Sequence, residues 1–171
     1  MKTKRDLLRH FLGALAYRTQ KALRDAPEDF GSFRVQAQVR TPEELVRHMT
    51  SVLGYARTFF VGGSYRPDAL LTLADEVKRF HEMVEDVGKH LTTGSELLSG
   101  MTEEHLLQGP FADAMTHAGQ LAMLRRMAAS PIAPENFIRA SISRDRLGED
   151  QALPVSPDEE WPEAPEGWKS K

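Results

Sequence analysis

Apolar residues recur at intervals of three and four along four long stretches of the chain. This spacing is typical of an α-helix with one buried face. The predicted helices are residues 4–25, 42–61, 67–91 and 111–130. The pattern therefore predicts an all-α protein built on four long helices.

The second predicted helix has the clearest start. Thr41 stands at the N-cap, Pro42 at the first helical position and Glu44 at the third. This is a capping box with the proline that first turns favour. The third helix carries a heptad-like seam, which suits bundle packing. The seam is Leu70, Leu73, Val77, Phe80, Val84, Val87 and Leu91.

The remaining segments are shorter. Residues 92–109 form a connector with one short helix at 103–107, and residues 136–143 are a candidate fifth short helix. We divide the chain into a helical domain at 1–148 and an acidic, proline-rich tail at 149–171, where prolines forbid any long helix. The tail holds both tryptophans, Trp161 and Trp168. We expect it to dock, with Trp161 as the anchor on the bundle or on a partner subunit.

Composition narrows the function classes. The chain has 171 residues, 40% apolar and 27% charged, the proportions of one globular domain. Its net charge of -3 gives no reason to expect nucleic-acid binding. Without cysteine, a metal would be held by His, carboxylates or water. No apolar run could span a bilayer, and the N-terminus lacks a signal-peptide pattern, so we expect a cytoplasmic location.

Three ionisable residues lie on or beside apolar helix faces, where an unpaired charge is costly. His48 is on the second predicted helix, and Asp113 and His117 are four residues apart on the fourth. A carboxylate and a histidine at this spacing share one helix face, and a histidine from another helix would complete a divalent-metal site with open positions. Gln120 lies on the same side. The simpler reading is an exposed ion pair or a satisfied hydrogen bond.

Other histidines compete for this role. His81 and Glu85 are also four apart and could be ligands, or His81 could be a packed residue of the seam. His10, His90 and His105 are expected to be solvated. Arg125 and Arg126 end the fourth helix, where cations complement the helix dipole.

The run from His117 to Met127, His-Ala-Gly-Gln-Leu-Ala-Met-Leu-Arg-Arg-Met, resembles the fourth-helix signature of the DinB-like (DinB/YfiT) family. That family has one His on its second helix, matched here by His48, and an H-x-x-x-H pair on its fourth. His117 matches the second His of the pair, and Asp113 stands where the first is usual. The resemblance, over residues 1–130, implies an up-down-down-up four-helix bundle that is often dimeric and binds nickel, zinc or a related ion.

The resemblance also implies an activity. Characterised DinB-like relatives include transferases that use bacillithiol or mycothiol and a mycothiol-dependent maleylpyruvate isomerase. Asp113 makes the site harder, which favours zinc, manganese or iron and weakens the case for thiolate activation. An aspartate at position 113 is also compatible with a site that has lost its metal.

Two functions follow from this resemblance. One is a metal-dependent thiol transferase in which His48, Asp113 and His117 hold the ion, and a small thiol attacks a small electrophile. The other is a non-catalytic, dimeric stress-response bundle with a structural or lost metal site. An open site beside a pocket favours the first, and a closed, dry site favours the second.

Overall fold

The computed structural model describes residues 3–155, 160–162 and 164–166. Regular secondary structure in these residues is helical, which confirms the predicted all-α class. The helices are α1 (Lys4–Leu23), α2 (Pro42–Val61), α3 (Leu73–Thr92), α4 (Glu103–Leu106) and α5 (Ala112–Met127). A 3₁₀ turn covers Phe30–Ser32, and a π-helical turn covers Leu107–Phe111.

The four long helices pack as a bundle. Helix α1 contacts α3 and α5, and α2 contacts the same two helices. Consecutive helices α1 and α2 therefore occupy opposite corners. Helices α2 and α5 are neighbours, and this pairing brings His48 to the face that carries Asp113 and His117.

The predicted apolar faces form the core. Each large side chain buried there contributes about 1.5–3 kcal/mol to folding. Most of the α3 seam is buried, whereas Leu70 is exposed because it lies before the helix. The fully buried large apolar residues are Leu12, Leu15, Tyr17, Phe30, Met49, Leu53, Phe80, Leu106, Phe111 and Leu121.

Threonine caps fix the helix starts. The predicted capping box of α2 is confirmed: Thr41 Oγ1 accepts from the Glu44 amide at 3.3 Å, and Glu44 accepts from the Thr41 amide at 2.8 Å. The predicted start of α3 at Pro67-Asp68 is wrong, because α3 begins at Leu73 after the N-cap Thr72.

A buried carboxylate explains the late start of α3. Glu76 accepts a hydrogen bond from the backbone amide of Leu70 at 2.9 Å. This bond holds the segment before Thr72 outside the helix. The helix boundary is then set by Thr72, whose side chain accepts a hydrogen bond from the Asp75 amide. The position of Leu70 in the apolar repeat does not reveal this hydrogen bond.

The predicted break between the short helix and the last long helix is wrong. The chain stays helical from α4 to α5 through the π-helical turn, and that turn contains Pro110. Proline lacks an amide hydrogen and its ring clashes with the carbonyl four residues earlier, so it breaks regular α-helical bonding. The wider turn absorbs this disruption without ending the helix.

The candidate fifth helix at residues 136–143 is also wrong, since residues 137–140 form a turn and a bend and the others have irregular backbone. Asn136 Oδ1 accepts from the Ile138 amide at 3.1 Å, a local bond that competes with helix formation. The segment then crosses α1 closely, and a Cβ on Gly13 would lie 2.3 Å from the Ser143 carbonyl oxygen.

The chain beyond this crossing remains in contact with the bundle. Arg24 Nη2 donates to the Gln151 carbonyl at 2.9 Å, and the Gln151 side chain donates to the carbonyls of Arg146 and Gly148. Trp161, the predicted anchor, is half-buried. Trp168 lies outside the described residues, and docking of the whole tail stays a prediction.

Within the described part of the chain, no helix combines the length and apolar character needed to cross a membrane.

Candidate metal centre

The structure brings together the three residues that the sequence singled out. One ligand atom each from His48, Asp113 and His117 can be chosen so that all lie within 4.8 Å of one another. His48 comes from α2, and the other two come from the first half of α5. The group could hold a metal ion, and it is the one such cluster of three or more residues in the described ranges.

His117 is held between two partners. Its Nδ1 lies 2.9 Å from Gln120 Oε1, and its Nε2 lies 3.3 Å from Asp113 Oδ1. With the Gln120 amide oxygen turned toward the ring, Nδ1 carries the hydrogen, because an amide oxygen can only accept. A neutral His117 therefore presents the bare lone pair of Nε2 to a carboxylate oxygen, and these two acceptors need a proton or a metal ion between them.

His48 supplies the third donor. Its ring packs edge-on against the His117 ring with centroids 4.8 Å apart. Burial lowers the pKa of His48, and the positive charges of Arg40 and of a protonated His117 lower it further, while Asp113 opposes them. These effects favour the neutral imidazole, which is the form that binds metals.

The geometry fits a transition-metal ion. Ligand atoms about 2.1 Å from a tetrahedral ion are about 3.4 Å apart, close to the 3.3 Å between Asp113 and His117. The ligand atoms of all three residues lie within 4.8 Å of one another, so the widest separation exceeds that of a tetrahedral site. Two imidazoles and one carboxylate are a ligand set suited to zinc and related ions.

The site is open on one side. His117 is buried and His48 is half-buried, whereas the Asp113 side chain is 51% exposed. A ligand set of three with one exposed member leaves room for a further ligand, as catalytic metal sites do and closed structural sites do not.

Two clefts are lined by cluster residues, and a third lies beside Gln120. One of about 470 Å³ includes His48 in its wall, and one of about 600 Å³ includes Asp113. A third of about 780 Å³ is lined by Gln120, by apolar residues of α5 and by both polar and apolar residues of the loop before α2, including Arg40. Each volume falls within the usual range for small-molecule sites.

The π-helical turn ends immediately before the face of α5 that carries Asp113 and His117. Asp113 is the second residue of α5 and therefore follows Phe111, the last residue of the turn, by two positions. Such turns occur frequently at functional sites. The turn sets the rotation at which α5 continues, and thereby the direction of Asp113 and His117.

The competing histidines are placed elsewhere. His81 is buried, with Nδ1 2.8 Å from the Leu147 carbonyl oxygen and Nε2 3.2 Å from the end of the Gln20 side chain. A neutral ring donates from Nδ1 to the carbonyl and accepts at Nε2 from the Gln20 amide group when its nitrogen faces the ring. His81 therefore takes the packed role that the sequence left open. His10 and His105 are exposed, and His90 is half-buried with its ring stacked on Phe60.

The sequence did not predict the backbone contacts of Arg125 or the three arginines that lie beside His48. Arg125 is buried and bonds backbone carbonyls of residues 22, 24, 25 and 130, which is far more than a dipole contact. Arg40, Arg47 and Arg66 line the cavity beside His48. Arg40 and Arg66 lie in loops, where apolar periodicity gives no positions.

Comparison of this chain with protein-family models, with curated proteins and with solved structures gives no match.

Proposed function

We propose that this chain is a DinB-like protein in which His48, Asp113 and His117 hold one divalent transition-metal ion, and that it is a thiol-dependent S-transferase acting on small electrophiles. The observation that carries the metal site is the pair of facing acceptors, His117 Nε2 and Asp113 Oδ1, 3.3 Å apart.

A metal ion suits these acceptors better than a single proton. A proton on Nε2 would satisfy Asp113 and His117 alone and would give the adjacent His48 no role. A metal ion uses all three donors. Gln120 would fix the ring orientation and tautomer of His117, as outer partners of metal-binding histidines do. Zinc and nickel are the ions that the resemblance favours, and the carboxylate adds manganese and iron.

The openness of the site supports catalysis over a structural role. A closed and dry site would leave no position for a substrate, but Asp113 is half exposed and lines a cleft of about 600 Å³. An ion bound here would supply a Lewis acid that lowers the pKa of a thiol. The chain itself would keep His48 neutral, orient His117 through Gln120 and provide a cleft beside Asp113 for the electrophile.

The direction of the helices is part of the proposal. Contacts along each helix pair support an up-down-down-up course, in which α1 and α5 run one way and α2 and α3 the other. These contacts are Arg47–Glu76 and Arg57–Asp86 for α2 with α3, Arg5–Ser95 and Gln20–His81 for α1 with α3, and Phe11–Phe111 and Arg125–Ala22 for α1 with α5. A homodimer, a cytoplasmic location and the absence of nucleic-acid or membrane partners complete the proposal.

One observation favours a second function, a non-catalytic dimeric stress-response bundle. Asp113 and His117 are close enough to form an ion pair without any metal if His117 is protonated. In that case the polar group would be a remnant of a metal site, or the ion would have only a structural role.

Spectroscopy of the cobalt-substituted protein tests the proposed function. A thiol that enters an open ligand position adds an intense sulfur-to-cobalt band in the near ultraviolet. We expect this band with a series of small thiols, and we expect turnover of an electrophile that accepts sulfur. An unchanged spectrum at saturating thiol, in protein that holds cobalt, would overturn the transferase proposal and favour the structural bundle.

A further inference from the structure

We propose that the cleft of about 780 Å³ beside Gln120 binds a medium-chain monocarboxylate, with its carboxylate at Gln120 and Arg40 and its aliphatic chain along α5. The cleft lies between the second half of α5 and the loop that precedes α2. This inference goes beyond the proposed function and does not depend on a bound metal, because none of the three candidate metal ligands lines the cleft.

Three of the large apolar side chains that remain exposed line this cleft. Val35, Met123 and Met127 are 44%, 48% and 54% exposed. Leu45 and Leu124 are buried and add apolar surface to the same wall. A concave apolar surface is typical of ligand sites, and methionine side chains adapt to ligands of irregular shape. The wall therefore favours a ligand with an apolar body.

Two hydrogen-bond donors in the wall are available to a ligand. The Gln120 oxygen bonds His117, and no acceptor among the described residues bonds the Gln120 NH₂ group. Arg40 likewise makes no hydrogen bond or ion pair with the described residues, and it is close enough to His48 for its charge to lower the pKa of that histidine. His48 packs on His117, so both donors lie at the same end of the cleft. Together they suit one carboxylate.

The charge of the wall selects a monoanion. Arg40 is the one charged side chain that lines the cleft in the described part of the chain. Glu44 belongs to the neighbouring cavity beside His48, and Arg34 and the Thr41 amide take up its carboxylate. A second carboxylate on the ligand would lie unpaired against apolar surface, which costs free energy.

The loop wall of the cleft is anchored to α2 before a ligand binds. Arg34 donates to the Val39 carbonyl at 2.8 Å and to Glu44 of α2 at 2.9 Å. The Val39 amide closes a turn on the Gln36 carbonyl at 3.0 Å. These bonds restrict the loop between Gln36 and α2, so less entropy is lost when a ligand is bound against it.

The spacing of the lining residues along α5 sets the length of the ligand. Gln120 and Met127 are seven residues apart on this helix, which is about 10 Å at 1.5 Å per residue. With carbon–carbon bonds of about 1.5 Å, an extended chain of about eight carbons covers that distance. Met123 lies between the two and would contact the middle of the chain. Octanoate is therefore the simplest ligand that matches the cleft.

Calorimetric titration of the full-length protein with octanoate, below its micelle concentration, tests the proposal. We expect saturable binding that strengthens about 2–4-fold for each methylene added between hexanoate and octanoate. Arg40→Gln should weaken octanoate binding about fivefold, the upper range for an exposed ion pair, and leave the binding of neutral octanol within twofold. Octanoate binding that does not saturate, or an unchanged octanoate affinity in Arg40→Gln, would overturn the proposal.

Met123→Gln/Met127→Gln tests the apolar wall and should bind octanoate at least tenfold more weakly. Met123→Leu/Met127→Leu keeps the wall apolar and should stay within threefold of the unaltered protein. Leu7→Gln/Val61→Gln is the matched control, because both residues are exposed on helices and lie outside the cleft. Equal octanoate affinity in the methionine-to-glutamine variant and in this control would contradict the proposal. A lower mass of the methionine-to-glutamine variant in sedimentation would also contradict it, since the face would then be a subunit interface.

The His48→Ala/His117→Ala variant separates this site from the proposed metal centre. Neither residue lines the cleft, so this variant should lose metal and keep its octanoate affinity within threefold. Octanoate binding that disappears together with the metal would show that the ion holds the carboxylate, and it would overturn the assignment to Gln120 and Arg40. Octanoate binding by a protein that never holds metal would refute the metal centre alone.

Discussion

Gln120 Oε1 lies 2.9 Å from Nδ1 of His117, one turn earlier on α5. This bond decides which nitrogen of His117 faces Asp113, because the amide oxygen accepts and leaves Nε2 as the free donor atom for a metal. A residue outside the proposed ligand set thus sets the tautomer and the orientation of a candidate ligand, His117.

Replacement of Gln120 should weaken metal binding without unfolding the protein. Gln120 is exposed, so Gln120→Ala removes little packing. Loss of such an outer partner typically lowers metal affinity about 10–100-fold. Competition with a chromophoric zinc chelator measures the change. Gln120→Glu keeps an acceptor at the same place and should retain most of the affinity, and an unchanged affinity in Gln120→Ala would argue against this role.

Removal of the Asp113 carboxylate should affect metal binding and leave stability nearly unchanged. The side chain is half exposed, so Asp113→Ala should unfold within about 0.5 kcal/mol of the unaltered protein. Its metal affinity should fall by on the order of 100-fold, at least as much as for an outer partner. Asp113→His restores a donor and should recover the affinity. Equal metal affinity in Asp113→Ala would show that Asp113 is not a ligand.

His81 should make the metal-free protein less stable at acidic pH. Burial lowers its pKa from the ordinary 6.5, opposed in part by the Leu147 carbonyl and the Glu149 charge. Below pH 6.5 His81 therefore binds a proton in the unfolded chain but not in the folded protein. The free energy of unfolding consequently falls as pH falls.

Urea unfolding at pH 7.5 and pH 5 measures this dependence. His81 contributes at most about 1.4 kcal/mol per pH unit. His81→Gln should show a smaller loss between the two pH values, whatever its absolute stability. Identical pH dependence in the two proteins would contradict the buried, neutral state of His81.

Arg125 should be a major contributor to stability. Its guanidinium donates to the carbonyls of Ala22, Arg24 and Asp25 at the end of α1 and to Ser130 beyond α5. Arg125→Met would leave these carbonyls unsatisfied and should cost about 3 kcal/mol. Chemical unfolding compares it with Arg139→Met, an exposed position expected to change stability by less than about 0.5 kcal/mol. A similar change in both variants would count against the prediction.

The helices and their buried faces were predictable because local rules determine them. Apolar spacing placed the α3 seam, and the capping box at Thr41 and Glu44 located the start of α2 to the residue. The spacing of Asp113 and His117 put both on one face of α5. These features depend on neighbours within one or two turns, so the sequence contains them directly.

The errors arose where a distant contact or a backbone irregularity overrides local preference. The bond from Leu70 to Glu76 delays α3, and the π-helical turn carries Pro110 inside a helix that local rules would end. The cavity beside His48 is lined in part by Arg66, which follows Tyr65. The close contact of Tyr65 with Gly54 positions this loop, and apolar periodicity does not predict that contact. The approach of His48 to His117 also needed the packing of α2 on α5, which spacing along one helix does not determine. The sequence offered this grouping as a hypothesis from three ionisable residues, and the resemblance supported it.

Metal content is the most direct test of the central claim. Inductively coupled plasma mass spectrometry on untagged protein should find close to one equivalent of a transition metal, and the His48→Ala/His117→Ala variant, if folded by circular dichroism, should hold essentially none. No bound metal in the unaltered protein, even after incubation with zinc, nickel and manganese, would contradict the claim, as would equal metal in both proteins.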